Sequence, residues 1–567
     1  MKKNRFSLAI ILILILILSA CADNKEDGKQ AAPSTGSKNS ENSGKPPAEN
    51  SGSENEDPLG KYDPPIEITS VRVVSTAYKY AEGDDISNNV WTRAYENELG
   101  IKLKYDWVVN SDQGAQKTNL AISSGDIPQF MTVTATQMEQ LAEAGLIMDL
   151  TEAYDKYASP LTKKIMTQDG PRALESAMID GKLMGIPAAT STIDNAQMLW
   201  IRTDWLEKLN LPVPQTMDDV LRIAEAFATQ DPDGNNQNDT VGLVIHKDLT
   251  AGVADLEGFF NGYHAYPSIW IKDDSGQLVY GNIQPEMKAA LLKLQEMYKA
   301  GYIDKEFGVK DAVKASEWMA SGKAGLIYGT MSNSLWPLNE SKANDPNADW
   351  NPYPIVSIDD KPALTKQLGF AVNNYLVVRK DTPNPEAGIK MVNLYVEKGW
   401  GEKSEPGIYF VNNGIETFKY APFTLWPYRK NMDQHINIAK VLKGEADVSS
   451  LNAEDKDIYE RIKTYRETGK EASNWGYDRV FGDKGSSYEV ISNYIADNRL
   501  IRNEFAGTST KTWIEKSESL KTLEQEAITR IIMGAPIEEF DTFVENWMKL
   551  GGTQITKEVN EWYNDNK

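Results

Sequence analysis

The sequence predicts an α/β fold built in more than one lobe. Two observations carry this. Over residues 66–133, β-branched or alternating apolar runs are separated by helix-like stretches. Strand–helix–strand alternation of this kind is the pattern of a mostly parallel sheet covered by helices. The chain is also 567 residues long. Single cores stop growing near roughly 250–300 residues, so two or more lobes are expected.

Two segments precede the first strand. Lys2, Lys3 and Arg5 lead into an uninterrupted apolar run from Leu8 to Leu18, and Leu18-Ser19-Ala20-Cys21 follows. A positive start, a short apolar stretch and small residues before a cut describe a secretory signal over residues 1–20. The run is shorter than the roughly 20 residues a membrane-spanning helix needs. The Leu-x-Ala-Cys ending resembles a bacterial lipobox, which implies lipid attachment at Cys21. Cys21 is the only cysteine, so an internal disulfide is not available. Residues 21–65 are rich in Ser, Gly, Asn, Lys, Glu and Pro. They bury too little to offset ordering entropy and are expected to form a flexible tether. Such a chain reaches on the order of 35–40 Å.

The folded part is expected to open with the strand Ile66 to Val74. A helix follows around Val90, Trp91, Tyr95 and Leu99, closed by Gly100. Ile101, Leu103, Tyr105 and Trp107 alternate as a second strand. Another helix leads to Ser124-Gly125-Asp126-Ile127-Pro128, and Phe130 to Val133 reads as a third strand. Thr216-Met217-Asp218-Asp219 resembles a capping box. Val220, Ile223, Ala224 and Phe227 then mark one helix face. Helical patterns dominate residues 285–325 and 514–565, and no internal repeat is visible.

Composition excludes several functions. A formal net charge of −22 argues against nucleic-acid binding, which needs basic surface. His246, His264 and His435 are far apart, so a zinc site or histidine triad is not expected. Nucleophile-elbow, phosphate-loop and dinucleotide motifs are absent. Glycosidase chemistry needs only two carboxylates, and among 82 acidic residues that class stays open.

The strongest chemical motif is Asp231-Pro232-Asp233-Gly234-Asn235-Asn236-Gln237-Asn238-Asp239. Oxygen side chains fall at loop positions 1, 3, 5 and 9 (Asp231, Asp233, Asn235, Asp239), with the Gln237 carbonyl at 7. This is the spacing of a calcium loop, because calcium takes six to eight hard oxygens in a tight turn. Position 12, usually a bidentate glutamate, is Gly242. The expectation is a calcium ion that staples the loop; the alternative is a solvated turn.

Several phrases then converge in order: the lipobox, Ser124-Gly125-Asp126-Ile127-Pro128, Gly181-Lys182-Leu183, Arg202-Thr203-Asp204-Trp205-Leu206, the Asp231 loop, Gly301-Tyr302-Ile303-Asp304, Ser321-Gly322-Lys323-Ala324-Gly325 and the Gly551-Gly552-Thr553 to Tyr563 ending. Over residues 66–567 the chain resembles the family 1 extracellular solute-binding proteins. It is similar in particular to the large Gram-positive lipoproteins that serve oligosaccharide ABC importers. The resemblance implies a periplasmic-binding-protein-like clamp of two α/β lobes joined by crossing segments. Lobe one would be 66–192 with 357–425, and lobe two 193–356 with 426–567. Relatives that bind alginate fragments carry a calcium loop at the equivalent place. Implied partners are an oligosaccharide and ABC permease subunits, with a monomeric protein held to the membrane by lipid alone.

Sugars are read by aromatic stacking and by hydrogen bonds, near the carboxyl ends of strands in an open α/β lobe. Candidates after the first strand are Ser75, Thr76 and Tyr78. Thr134 and Thr136 follow the third. Trp200 and Arg202 lie beyond the first crossing. Tyr263, Trp270, Trp336, Trp475 and Tyr477 have Gly, Asn or Ser neighbours, and Arg202 and Arg479 are candidate partners for a uronate carboxylate. The expected function is capture of an extracellular oligosaccharide without catalysis. A surface glycan-degrading enzyme and a carbohydrate sensor or adhesin on the same fold are the alternatives.

Overall fold

The computed structural model describes residues 57–565 except 76–77, 169, 367–371 and 508. Cys21, the expected signal, most of the expected tether and Thr76 lie outside the described residues.

Strands β1 (Ile66–Val74) and β2 (Ile101–Asn110) pair in parallel, Ile66 opposite Ile101, with an irregularity between Ser70 and Val71. Helix α1 (Val90–Ala94) connects them and continues as a wide turn over Tyr95–Leu99. Asn89 starts it by accepting hydrogen bonds from the Trp91 and Thr92 amides. Gly100 ends it at φ 66, a left-handed conformation that costs glycine little. Trp91, Tyr95 and Leu99 fall four residues apart on one face and are all buried. Helix α2 (Ser111–Ser124) follows β2 directly, and β3 (Phe130–Val133) leads into α3 (Ala135–Glu143). Thr69 in β1 and Gln129 before β3 exchange hydrogen bonds of 2.9 and 3.1 Å, which ties the two strands side by side.

The expectation of a mostly parallel sheet is corrected beyond this point. Strand β4 spans Ile186–Ala189, β5 Met198–Arg202, β6 Leu326–Gly329, β7 Trp350–Tyr353 and β8 Val372–Val378. The β3–β8–β4 and β6–β5–β7 ladders are antiparallel throughout. The reason is connectivity. The central strand of each ladder, β8 or β5, enters just as the chain passes from one apolar core to another. Local strand–helix–strand order therefore says nothing about its direction. Among the described residues, parallel pairing in these later segments is limited to a two-residue ladder of Thr365–Lys366 with Leu500–Ile501 and to single bridges such as Val241–Ala324 and Leu243–Ile303.

Apolar side chains gather in three clusters. One draws on residues between Ile68 and Ile186 and between Tyr375 and Leu425. The other two draw on residues between Ile193 and Ala363 and between Met432 and Val559. Helix α4 (Met217–Thr229) is capped by Thr216 and buries Val220, Ile223, Ala224 and Phe227, the face the sequence predicts.

An aromatic group in the first cluster matters for the site. Trp91 stacks on Tyr395 at 4.9 Å and touches Tyr409 at 5.0 Å, while Phe410 packs edge-on to Trp400 and Trp426. The Trp91 indole donates to the Tyr409 and Thr417 carbonyls, each at 3.1 Å. Tyr420 stacks on Tyr80 at 4.9 Å and donates to the Lys79 carbonyl. Residues 409–426 are thus anchored on α1 and on the chain after β1.

Candidate functional site

The ends of β1, β3, β4 and β8, the first turns of α2 and α3, and residues 418–424 enclose a cavity of about 580 Å³. Close approach of α2 to β1 requires Gly114, where a Cβ would lie 2.6 Å from a Val73 methyl. Polar groups in the wall come from Tyr78, Thr118, Thr132, Gln137 and Asn374, and apolar surface comes from Phe418, Pro422 and Phe423. Thr134 also lines the cavity while capping α3. Its hydroxyl accepts from the Gln137 amide at 3.3 Å, and Gln137 accepts in return from the Thr134 amide at 3.0 Å. Among the described residues the charged groups of the wall are Arg72 and Lys419, with no Asp, Glu or histidine. Hydroxyls, amides and flat apolar faces in one concavity suit a polyhydroxylated solute.

The expected site residues divide sharply. Tyr78 and Thr134 line this cavity. Ser75, half-buried, accepts from the Tyr78 amide at 3.1 Å. Thr136 sits half-buried in the first turn of α3 and is not part of the wall. Trp336 is 40% exposed and follows β6. Tyr477 lines a separate cavity of about 420 Å³ beside residues 406–414, with the Arg461 guanidinium 5.1 Å from its ring centre.

Four aromatics expected at the ligand are packed in the core instead. Trp200, in β5, is fully buried and donates to the Thr330 carbonyl at 3.1 Å. Tyr263 packs on Phe259. Trp270 opens a short strand (Trp270–Lys272) and packs on Tyr280. Trp475 has the small polar neighbours Asn474 and Gly476, but residues Ala472–Phe481 form a helix that turns its indole wholly inward. Both expected arginines are already paired. Arg202 is 2% exposed, bonds Asp204 at 2.7 and 2.5 Å and Asp345 at 3.2 Å, and covers the Trp205 ring. Arg479 bonds Asp349 at 2.9 Å and the Trp350 carbonyl at 3.2 Å. Sequence reasoning missed Arg72, Asn374 and the 418–424 segment. A lone cation in the β-branched run Val71-Arg72-Val73-Val74 was the available signal for the first.

The Asp231 loop folds tightly. Asp231 accepts from the Asn235 and Asn236 amides at 3.0 and 3.1 Å, and the Asn235 side chain bridges Asp233 and Asp239 at 2.8 and 3.0 Å. Gly234 takes φ 76. Desolvation, with the neighbouring Asp231 carboxyl adding to it, raises the pKa of Asp233. Two carboxyls that resist joint ionisation are the donor chemistry a hard cation relieves. Lys323 pairs with Asp239 at 2.8 Å and competes for that ligand. Among the described residues, no three His, Cys, Asp or Glu side chains converge as a metal cluster, so amide and carbonyl oxygens would have to complete the set. The twelfth position is closed to any side chain: a Cβ on Gly242 would lie 2.1 Å from the Ala224 carbonyl oxygen.

The chain as a whole is similar to several known proteins. The chain is similar to "Lipoprotein LipO" of Bacillus subtilis, 24% identical over 84% of this chain and 89% of that one. It is similar to the "Polygalacturonan/rhamnogalacturonan-binding protein YtcQ" of the same organism, 23% identical over 83% and 87%. Its fold matches that of the Streptococcus pneumoniae ABC-transporter substrate-binding protein FusA, an EF-hand mutant in complex with fructo-nystose. That match has a TM-score of 0.59 and 17% identity, and covers 88% of this chain and 99% of that one. The fold is therefore of the periplasmic-binding-protein type. Among the described residues no helix is long and apolar enough to cross a membrane. The family model for bacterial extracellular solute-binding proteins matches residues 75–402, and the chain belongs to that family.

Proposed function

We propose that this protein captures an extracellular oligosaccharide and delivers it to the permease subunits of an ABC importer. The observation that carries the reading is the 580 Å³ cavity at the strand ends, walled by hydroxyls, amides and aromatic faces. The similarity to YtcQ, a polygalacturonan/rhamnogalacturonan-binding protein, and to FusA, an ABC-transporter substrate-binding protein, supports it. In this reading the first apolar cluster is lobe one, and the other two together are lobe two. Their boundaries follow the sequence division at 66–192 with 357–425 and 193–356 with 426–567. Tyr78 and Thr134 contact the ligand from lobe one, and Trp336 meets it from lobe two on closure. The protein acts as a monomer, tethered through lipid on Cys21; LipO's name as a lipoprotein supports the anchor.

The test is calorimetry and thermal shift on the folded chain with a panel of plant, microbial and algal oligosaccharides. A ligand at about 100 times its Kd stabilises the fold by about 2.7 kcal/mol, a measurable rise in Tm. Absence of binding by every oligosaccharide would overturn the reading. Calcium in the Asp231 loop is part of the same proposal, as a staple held by Asp231, Asp233, Asn235, the Gln237 carbonyl and Asp239. A chelator-stripped protein should bind calcium and gain Tm; no heat of binding and no gain would remove the metal.

A further inference from the structure

The cavity wall is unlike the rest of the chain in charge. The protein carries 82 acidic residues against 60 basic ones, yet among the described residues no acid lines the cavity and two cations do. Lys419 is neutralised by Glu416 outside the wall. Arg72 is not: among the described residues no carboxylate pairs with it. One of its terminal nitrogens donates to the Lys419 carbonyl, and its Nε is buried with no hydrogen-bond partner. The Tyr105 hydroxyl, near enough to feel the guanidinium charge, is also buried without a partner.

An uncompensated, part-buried guanidinium costs folding free energy. A structural arginine normally finds a carboxylate, as Arg202, Arg466 and Arg479 all do here. Leaving Arg72 unmatched near the C-terminal end of β1, inside the 580 Å³ cavity at the strand ends, is the arrangement of a receptor awaiting its counter-ion. We infer that the ligand bears a carboxylate, that it is an acidic rather than a neutral oligosaccharide, and that Arg72 in this cavity receives the carboxylate. The inference rests on the cavity being the oligosaccharide site. It moves acid recognition from the two arginines that the sequence pointed to, both already paired, to one that it did not.

The test compares acids with their own methyl esters, which keep shape and remove charge. The full chain is titrated by calorimetry with α-1,4-linked trigalacturonate, β-1,4-linked trimannuronate, the methyl esters of both, and neutral maltotriose, cellotriose and xylotriose. At least one acid should bind tenfold or more tightly than its ester. Arg72→Gln should lower that acid's affinity tenfold to a hundredfold, the size of one charge-assisted hydrogen bond of about 1.5–3 kcal/mol, and leave the ester within about twofold. Lys419→Gln should keep the preference. If Arg72→Gln fails to fold, Arg72→Lys decides, because it retains charge but loses the two-pronged geometry and should retain only part of the preference. Acid and ester binding alike, or an unchanged preference in the Arg72 variants, overturns the inference. Binding of neutral sugars without either acid overturns it while the solute-binding reading stands. No carbohydrate binding at all overturns both.

Discussion

Gly242→Ala tests how the end of the Asp231 loop is built. The added Cβ would sit 2.1 Å from the Ala224 carbonyl oxygen and 2.7 Å from its carbon. A carbon–oxygen contact is comfortable near about 3.3 Å, so the backbones must part by roughly 1 Å. They are not free to part. The Gly242 and Leu243 amides both donate to the Tyr302 carbonyl, at 2.8 and 3.0 Å, and Thr240 donates to the Phe227 carbonyl at 2.6 Å. Ala224 lies on the buried face of α4 beside Ile223 and Phe227. Overpacking of this kind costs about 1–3 kcal/mol, and one lost backbone hydrogen bond adds about 1 kcal/mol. The expected loss is therefore about 2–4 kcal/mol, measured by urea unfolding with tryptophan fluorescence. A variant within about 0.5 kcal/mol of the parent would refute the close contact. By the same geometry, Gly242→Glu cannot complete a twelve-position calcium loop. Tighter calcium binding with unchanged stability in that variant would show that the loop can open.

Trp475→Ala should cost about 3–5 kcal/mol, because its indole is fully buried. Trp336→Ala should stay within about 0.5 kcal/mol in chemical denaturation, and the reverse order would contradict the placement of both. Trp91→Leu removes two indole hydrogen bonds that hold residues 409 and 417. It should lower stability by several kcal/mol and, at temperatures well below Tm, weaken ligand binding as well; intact affinity would argue against the anchoring role. Burial, with Glu257 contributing next, pushes the Asp255 carboxyl up to about 8. The folded chain then keeps a proton that the unfolded chain loses near pH 4, so this group's penalty grows from about pH 4 to pH 8 and levels off above. Asp255→Asn should gain stability over the parent more at pH 8.5 than at pH 5, and equal differences at the two pH values would count against the buried neutral form.

What could be read from the sequence was local. The Trp91–Tyr95–Leu99 spacing, the Gly100 stop and the Thr216 cap depend on neighbours within eight residues, and those elements form where they were expected. Strand direction was not local. β8 lies between β3 and β4 only because some 180 intervening residues fold elsewhere before it returns, and no periodicity encodes that return. The site was harder still. Trp475 and Trp270 have the small polar neighbours typical of loops, yet helical pairing and a strand turn both indoles inward. Arg202 has Asp204 two residues on, but Arg202 and Arg479 still look like ligand cations until Asp345 and Asp349 arrive from another segment. Charge pairing across the chain, which decides whether a cation is available, has no one-dimensional signature.

Most of the large indoles serve the core. Trp91, Trp200, Trp350, Trp475 and Trp547 are each fully buried. Trp91 acts on the site without facing it: it grips two carbonyls of the 409–417 stretch, and that stretch delivers Phe418, Pro422 and Phe423 to the cavity. A large side chain that fixes a loop contributes to binding by lowering the loop-ordering entropy a ligand must offset. In the proposed site the surface left for recognition is then assembled from hydroxyls, amides, smaller aromatic rings and one guanidinium without a carboxylate partner among the described residues. If Arg72 receives an acidic sugar as proposed, a carboxylate in that wall would repel the ligand and pair with Arg72 in its place, and among the described residues the wall holds none.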